Sequence, residues 1–205
     1  MRYSILALLS LTIAGSQAMP TSPSPVLRIP PGQRDGSYIV HNWDTAQELH
    51  ERLPDVLAHE LEAYTAKRAA AIAAAAISPN VDATSTPFKR DDYIACGCID
   101  LNHRDCDDAT HGVEFFADRD QRVHPGTCFY QFARSVVAFV CVPRGDLNLQ
   151  VTGANMRGKW RDITNHCGWY KAGSTGWKPH HVAGYMAASH KDYFGDAWKS
   201  PRTSC

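Results

Sequence analysis

The 205 residues carry 21 Lys plus Arg against 21 Asp plus Glu, a formal net charge of zero. That balance excludes the basic footprint of a nucleic-acid binder and the cationic face of a membrane-lytic helix. All seven cysteines lie at or beyond Cys96, so a cysteine-free part precedes a cysteine-bearing one.

The N-terminus pairs Arg2 with an uncharged apolar run over 5–14, and small residues flank Gln17 before a cut expected after Ala18. Such an order predicts a secretory signal peptide over 1–18. The run is about half the twenty residues that a membrane span needs. Secretion places the cysteines in an oxidising compartment. Residues 20–31 are rich in proline and serine and should be extended.

Residues 44–77 predict a helix. Asp44 and Gln47 make a capping-box-like start, and Leu49, Leu53, Leu57, Leu61 and Tyr64 form one apolar stripe. Pro54 must kink or divide it. This helix has no second apolar layer except the cysteine-bearing part, so 19–90 reads as a pro-segment. Lys89-Arg90 follows a Ser-, Thr- and Pro-rich stretch and precedes Cys96 by a few residues. A kexin-type cut after Arg90 is expected to release a mature domain over 91–205. The other dibasic pair, Lys67-Arg68, lies inside the helical stretch, where a protease cannot easily draw the backbone out.

Within 91–205 the balance is again neutral, 13 Lys plus Arg against 13 Asp plus Glu. Residues 93–99 read as a strand. Residues 105–118 read as a helix with Ala109, Val113 and Phe116 on one face, although Gly112 weakens it. The strongest segment is 128–142, two β-branched and aromatic runs around Arg134-Ser135, which predicts a hairpin. Folding there sets 128 opposite 141, 130 opposite 139 and 132 opposite 137. A Cys128–Cys141 cross-strand bridge is then geometrically allowed. Arg-Ser is a poor two-residue turn, so the expected loop is longer in the same register. Residues 146–151 add a short strand. Thr152 caps a helix to His166 with Met156, Trp160 and Ile163 inward, and Gly168 closes it. Residues 182–188 form a last strand. The sum is an α+β sandwich, about four antiparallel strands with two helices on one face.

Seven cysteines, Cys96, Cys98, Cys106, Cys128, Cys141, Cys167 and Cys205, leave one over after three bridges. Cys96 and Cys98 cannot easily bridge each other. Cys205 ties down the C-terminus or pairs with another chain, so a dimer through the odd cysteine stands beside the expected monomer.

Segments SVVAFVCV and VTGANMRGKWRDITNHCGWYKAGSTGW, then VAGYM, resemble the second half of fungal killer-toxin-like and necrosis-inducing effector domains. The layout of signal, cysteine-free segment, Lys-Arg and cysteine-rich domain is similar to many secreted fungal effectors. This resemblance implies a virulence or toxin-like protein that binds a host or competitor target, with no cofactor. An antimicrobial killer-type protein is the close alternative. A small secreted hydrolase such as a ribonuclease is the chemical one, built from Glu114, His124, Arg134 and His166. The pair His180-His181 with His190 nearby raises a metal, but adjacent strand histidines point to opposite faces. Sequence therefore points to no catalytic set and no metal site. Trp169, Tyr170, Trp177 and Lys178 crowd a Gly-rich loop and are the expected binding residues. The alternative is that two of these three rings cap the core.

Overall fold

In a computed structural model, the described residues are 29–42, 49–53, 60, 62–64, 66–67, 70, 93–119, 122–146, 148–177, 181–189 and 203–205. The signal peptide with Ala18, the processing pair Lys89 and Arg90, and Lys178 lie outside them. In chain order the elements are β1 (Gly36–His41), β2 (Leu49–Arg52), β3 (Tyr93–Asp100), α1 (His103–Asp118), β4 (Arg122–Val123) and β5 (Thr127–Ala133). There follow β6 (Val136–Val142), β7 (Leu149–Gln150), α2 (Gly153–Cys167), β8 (Lys171–Trp177) and β9 (His181–Ala187).

The β5–β6 hairpin is the centre, in the register that folding about Arg134-Ser135 predicts. Cys128 faces Cys141, Tyr130 faces Phe139 and Phe132 faces Val137. The loop is nevertheless only Arg134-Ser135, shorter than expected. Arg134 takes a positive φ of 49°, which costs a non-glycine residue. Surrounding carboxylates compensate. The Arg134 amide donates to Asp35 Oδ1 at 2.7 Å. Its guanidinium donates to Asp105 and Asp108, and the Ser135 amide and hydroxyl donate to Asp105. Burial alone would raise the Asp105 carboxyl, but the Ser135 and Arg134 hydrogen bonds outweigh it and hold the carboxyl below its ordinary value.

From this centre a seven-stranded antiparallel sheet spreads in the order β2-β1-β5-β6-β9-β8-β3, with β4 and β7 pairing apart. The α+β class holds, but the count of about four strands is corrected to seven. Two of the extra strands come from the part read as a pro-segment. Leu49–Arg52, expected to start a helix, is β2, because its alternating side chains pair with β1 while Leu49 stays 63% exposed. The helical reading survives further on, at Glu60, 62–64, 66–67 and Ala70. The third extra strand is β8. Ser174, Thr175 and Gly176, turn formers by composition, are buried in strand between β3 and β9. Gly176 is needed there because an added Cβ would lie 1.9 Å from the Tyr93 ring.

Both helices cover one face: α1 packs on β5 and β6, α2 on β3, β8 and β9, and each on the other. Asn102 caps α1 by accepting from the Asp105 amide at 3.1 Å. Thr152 caps α2 through the Asn155 amide at 3.2 Å. Ala109, Val113, Met156, Trp160 and Ile163 are buried as the periodicity predicts. Gly112 does not break α1. The Gln131 side chain fills the space where a Cβ would sit.

Three disulfides form: Cys96–Cys167, Cys98–Cys205 and Cys128–Cys141. Cys205 thus ties down the C-terminus. The odd cysteine is Cys106, buried at 5% exposure rather than presented to a second chain.

Candidate functional site

A cavity of about 340 Å³ opens between the two helices. Helical spacing builds its walls. Cys106, Thr110 and Glu114 recur every four residues on α1, and Arg157, Arg161 and Asn165 do so on α2. Trp160 and Thr164 complete the α2 wall, Tyr185 of β9 lies beneath, and Trp169 and Tyr170 stand at the turn that follows α2.

Charge in the cavity is balanced. Glu114, with no solvent exposure, lies 3.4 Å from Arg157 Nη1, and Asp118 lies 3.8 Å from the same atom. Burial would lower the Arg157 pKa, but the Glu114 charge and the Tyr64 hydroxyl outweigh it and leave the guanidinium more basic than usual. Tyr64 donates to Asp118 Oδ2 at 2.6 Å, and burial with this bond pushes its phenol up to about 12. Burial, then the Asp107 charge, pushes the Cys106 thiol up to about 12 as well. That thiol is protonated at neutral pH and a poor nucleophile. Tyr185, raised by burial, shares a 3.3 Å hydrogen bond with Thr164. The Trp160 indole N–H is buried with no partner among the described residues.

The rim is fixed on every side. Gly168 ends α2 at φ 97°, its amide donating to the Thr164 carbonyl at 2.9 Å. Cys167, one residue earlier, is bridged to Cys96 of β3. Tyr170 takes φ 53°, accepts from the Leu101 amide at 2.9 Å and stacks on His103 at 3.9 Å. Between these anchors Trp169 projects with 77% of its surface exposed.

Two of the four residues expected to bind therefore meet at one site, Trp169 and Tyr170. Trp177 is placed elsewhere, at the end of β8 opposite His181, and not on a loop. The ribonuclease candidates sit on separate elements with separate partners. Glu114 lines the cavity, whereas Arg134 holds the β5–β6 turn. His124 shares a 2.9 Å hydrogen bond with Asn148, and His166 one of 2.8 Å with the Asp162 carbonyl. His181 is buried 3.9 Å from Asp146, while His180 and His190 lie outside the described residues. Among the described residues no three potential metal ligands cluster, and no helix is long and apolar enough to cross a membrane. Sequence reasoning missed Arg157, Arg161 and Tyr185. The four-residue recurrence from Arg157 to Asn165 is the available signal, on the face of α2 beside its apolar one.

The chain matches no protein-family model, no curated protein and no solved structure.

Proposed function

We propose that this is a secreted, effector- or toxin-like protein that acts by binding a host or competitor target at the α1–α2 cleft, with Trp169 as the anchor. The observation that carries this reading is the 77% exposure of Trp169 on a turn clamped by Cys96–Cys167 at the mouth of the cavity. An exposed indole costs solvation, and a rigid ring recovers that cost when a partner covers it, with little loss of side-chain entropy. Arg161 offers a donor for the same partner. The disulfides suit an oxidising, extracellular setting. Binding is favoured over chemistry because the Cys106 thiol is held protonated and Glu114 is paired with Arg157.

Trp169→Ala tests this. Stability should stay within about 0.5 kcal/mol of the parent, as for an exposed residue. Target binding or cell-death activity should fall by about 2 kcal/mol or more, roughly thirtyfold. Leaf infiltration and yeast growth inhibition separate host from competitor targets, and an RNA-degradation assay addresses the ribonuclease alternative. Full activity in both Trp169→Ala and Arg161→Ala would overturn the cleft as the binding site.

A further inference from the structure

The segment before Lys89-Arg90 is built into the domain that follows it. All six positions of β1 pair with β5, from Gly36 opposite Phe132 to His41 opposite Thr127. Val40 is fully buried and Tyr38 is 5% exposed. Tyr130, also fully buried, is held largely from the N-terminal side. Tyr38 stacks on its ring at 5.0 Å, His50 reaches its hydroxyl at 3.0 Å, and Gln33 donates to the same oxygen. A second grip lies on another element. Tyr64 bonds Asp118 at 2.6 Å and packs edge-on to Phe115, while Glu60 pairs with Arg119. Yet none of the three disulfides reaches this segment, since every bridged cysteine lies between Cys96 and Cys205.

We infer that the surface formed by the β5 edge and the C-terminal end of α1 is a docking site for the described residues between 29 and 70 of the same chain, and that they stay docked when the chain is cut after Arg90. The processed product is then a noncovalent two-piece protein and not a free C-terminal domain. A cut after Arg90 breaks none of the contacts just named. What it removes is the effective concentration that the tether supplies. Release would also leave β5 as an open edge carrying Phe129 and Tyr130, the arrangement that invites aggregation. This inference uses the processing reading only to place the cut, and it does not rest on the cleft as a binding site. It bears on that cleft at one atom pair, since Arg157 donates to the Tyr64 hydroxyl at 3.4 Å.

The test is to cut the purified, oxidised full-length chain with a kexin-type protease, or through a protease site inserted after Arg90 where the native pair resists. A denaturing gel without reductant should show two pieces. Size exclusion and native mass spectrometry at about 1 μM, where a tight complex holds together, should show one species with the summed mass. Separation of the pieces under those conditions overturns the inference. Val40→Asp places a charge in the β1–β5 layer, and after cutting it should release the N-terminal piece. Should that variant fail to fold uncut, Tyr38→Ala removes the stack on Tyr130 together with the Tyr38 hydroxyl bond to the Arg34 carbonyl inside the N-terminal piece. It should shift dissociation to at least tenfold higher protein concentration. Unchanged association in whichever variant folds would overturn β1 docking as the cause.

Discussion

Residues 29–70 and residues 93–205 contribute strands to the same sheet, but different forces hold them there. The C-terminal part carries all three disulfides, both long helices and five of the seven sheet strands. The N-terminal part adds β1 and β2 at one edge and is held by ladder hydrogen bonds, a tyrosine stack and side-chain contacts to α1. Covalent closure acts chiefly on the unfolded chain by limiting its freedom. Noncovalent docking acts only on the folded one, and it opens locally wherever its contacts are few. The two regions should therefore respond differently to the same insult.

The largest contrast is expected from the covalent side. Replacing Cys96 and Cys167 with alanine removes a bridge spanning 71 residues. It should cost about 2–5 kcal/mol in denaturant unfolding. Because the bridge also ties β3 to the end of α2 in the folded state, hydrogen exchange in that variant should quicken most in β3, β8 and α2. Uniform loss across β1 as well would show that the two regions unfold as one unit and erase the distinction.

A smaller effect is expected from the docked edge. Val40→Ala leaves the disulfides intact and removes two methyl groups from a fully buried site. The cost should be about 2 kcal/mol. Exchange should rise in β1, β2 and β5 while β3 and β8 keep their protection. Equal loss at β3 would mean that the sheet transmits strain from edge to edge.

What sequence reading captured and what it missed divides along the same line. The hairpin was legible because two β-branched and aromatic runs flank Arg134-Ser135, and folding there makes the Cys128–Cys141 bridge geometrically possible. The α2 ends were legible because Thr152 and Gly168 are local signals. At the edge, Tyr38, Ile39 and Val40 are a short run whose partner lies some ninety residues on, and no local pattern points to it. The leucine spacing from Leu49 also mimics a helix, whereas pairing with β1 makes Leu49–Arg52 a strand. In β8 the small residues suggested a loop, although Gly173 and Gly176 are small because Ile163, Cys167 and the Tyr93 ring press on them. Of the residues lining the candidate site, Trp169 and Tyr170 were legible as binding residues, because aromatic rings beside glycine stand out. The cleft wall was hidden because it requires knowing that α1 and α2 face each other.

The smallest and most local effect should come from Tyr64→Phe, which keeps the ring against Phe115 and deletes only the hydroxyl. That hydroxyl donates to Asp118, whose other oxygen accepts from the Gly153 amide at the start of α2 at 2.6 Å. Losing the bond to Asp118 and the longer one from Arg157 should cost about 1 kcal/mol at neutral pH. Its pH signature is more telling than its size. The phenol is pushed up to about 12 by burial and the Asp118 bond, so the folded state holds the proton to higher pH than the unfolded chain, which releases it near 10. The stabilisation is complete below about pH 10 and is lost as pH rises towards 12. Tyr64→Phe should therefore weaken the protein at pH 7 while making its stability fall less steeply between pH 10 and 12. Cys106→Ala in the same background removes the raised thiol, and the Tyr64 contribution is the difference between profiles with and without Tyr64→Phe, since the raised phenols of Tyr93, Tyr170 and Tyr185 are common to both. Identical alkaline profiles with and without the Tyr64→Phe change in that background would show that the hydroxyl is solvated rather than bonded to Asp118. The second grip of the N-terminal region would then rest on the ring and the Glu60–Arg119 pair alone.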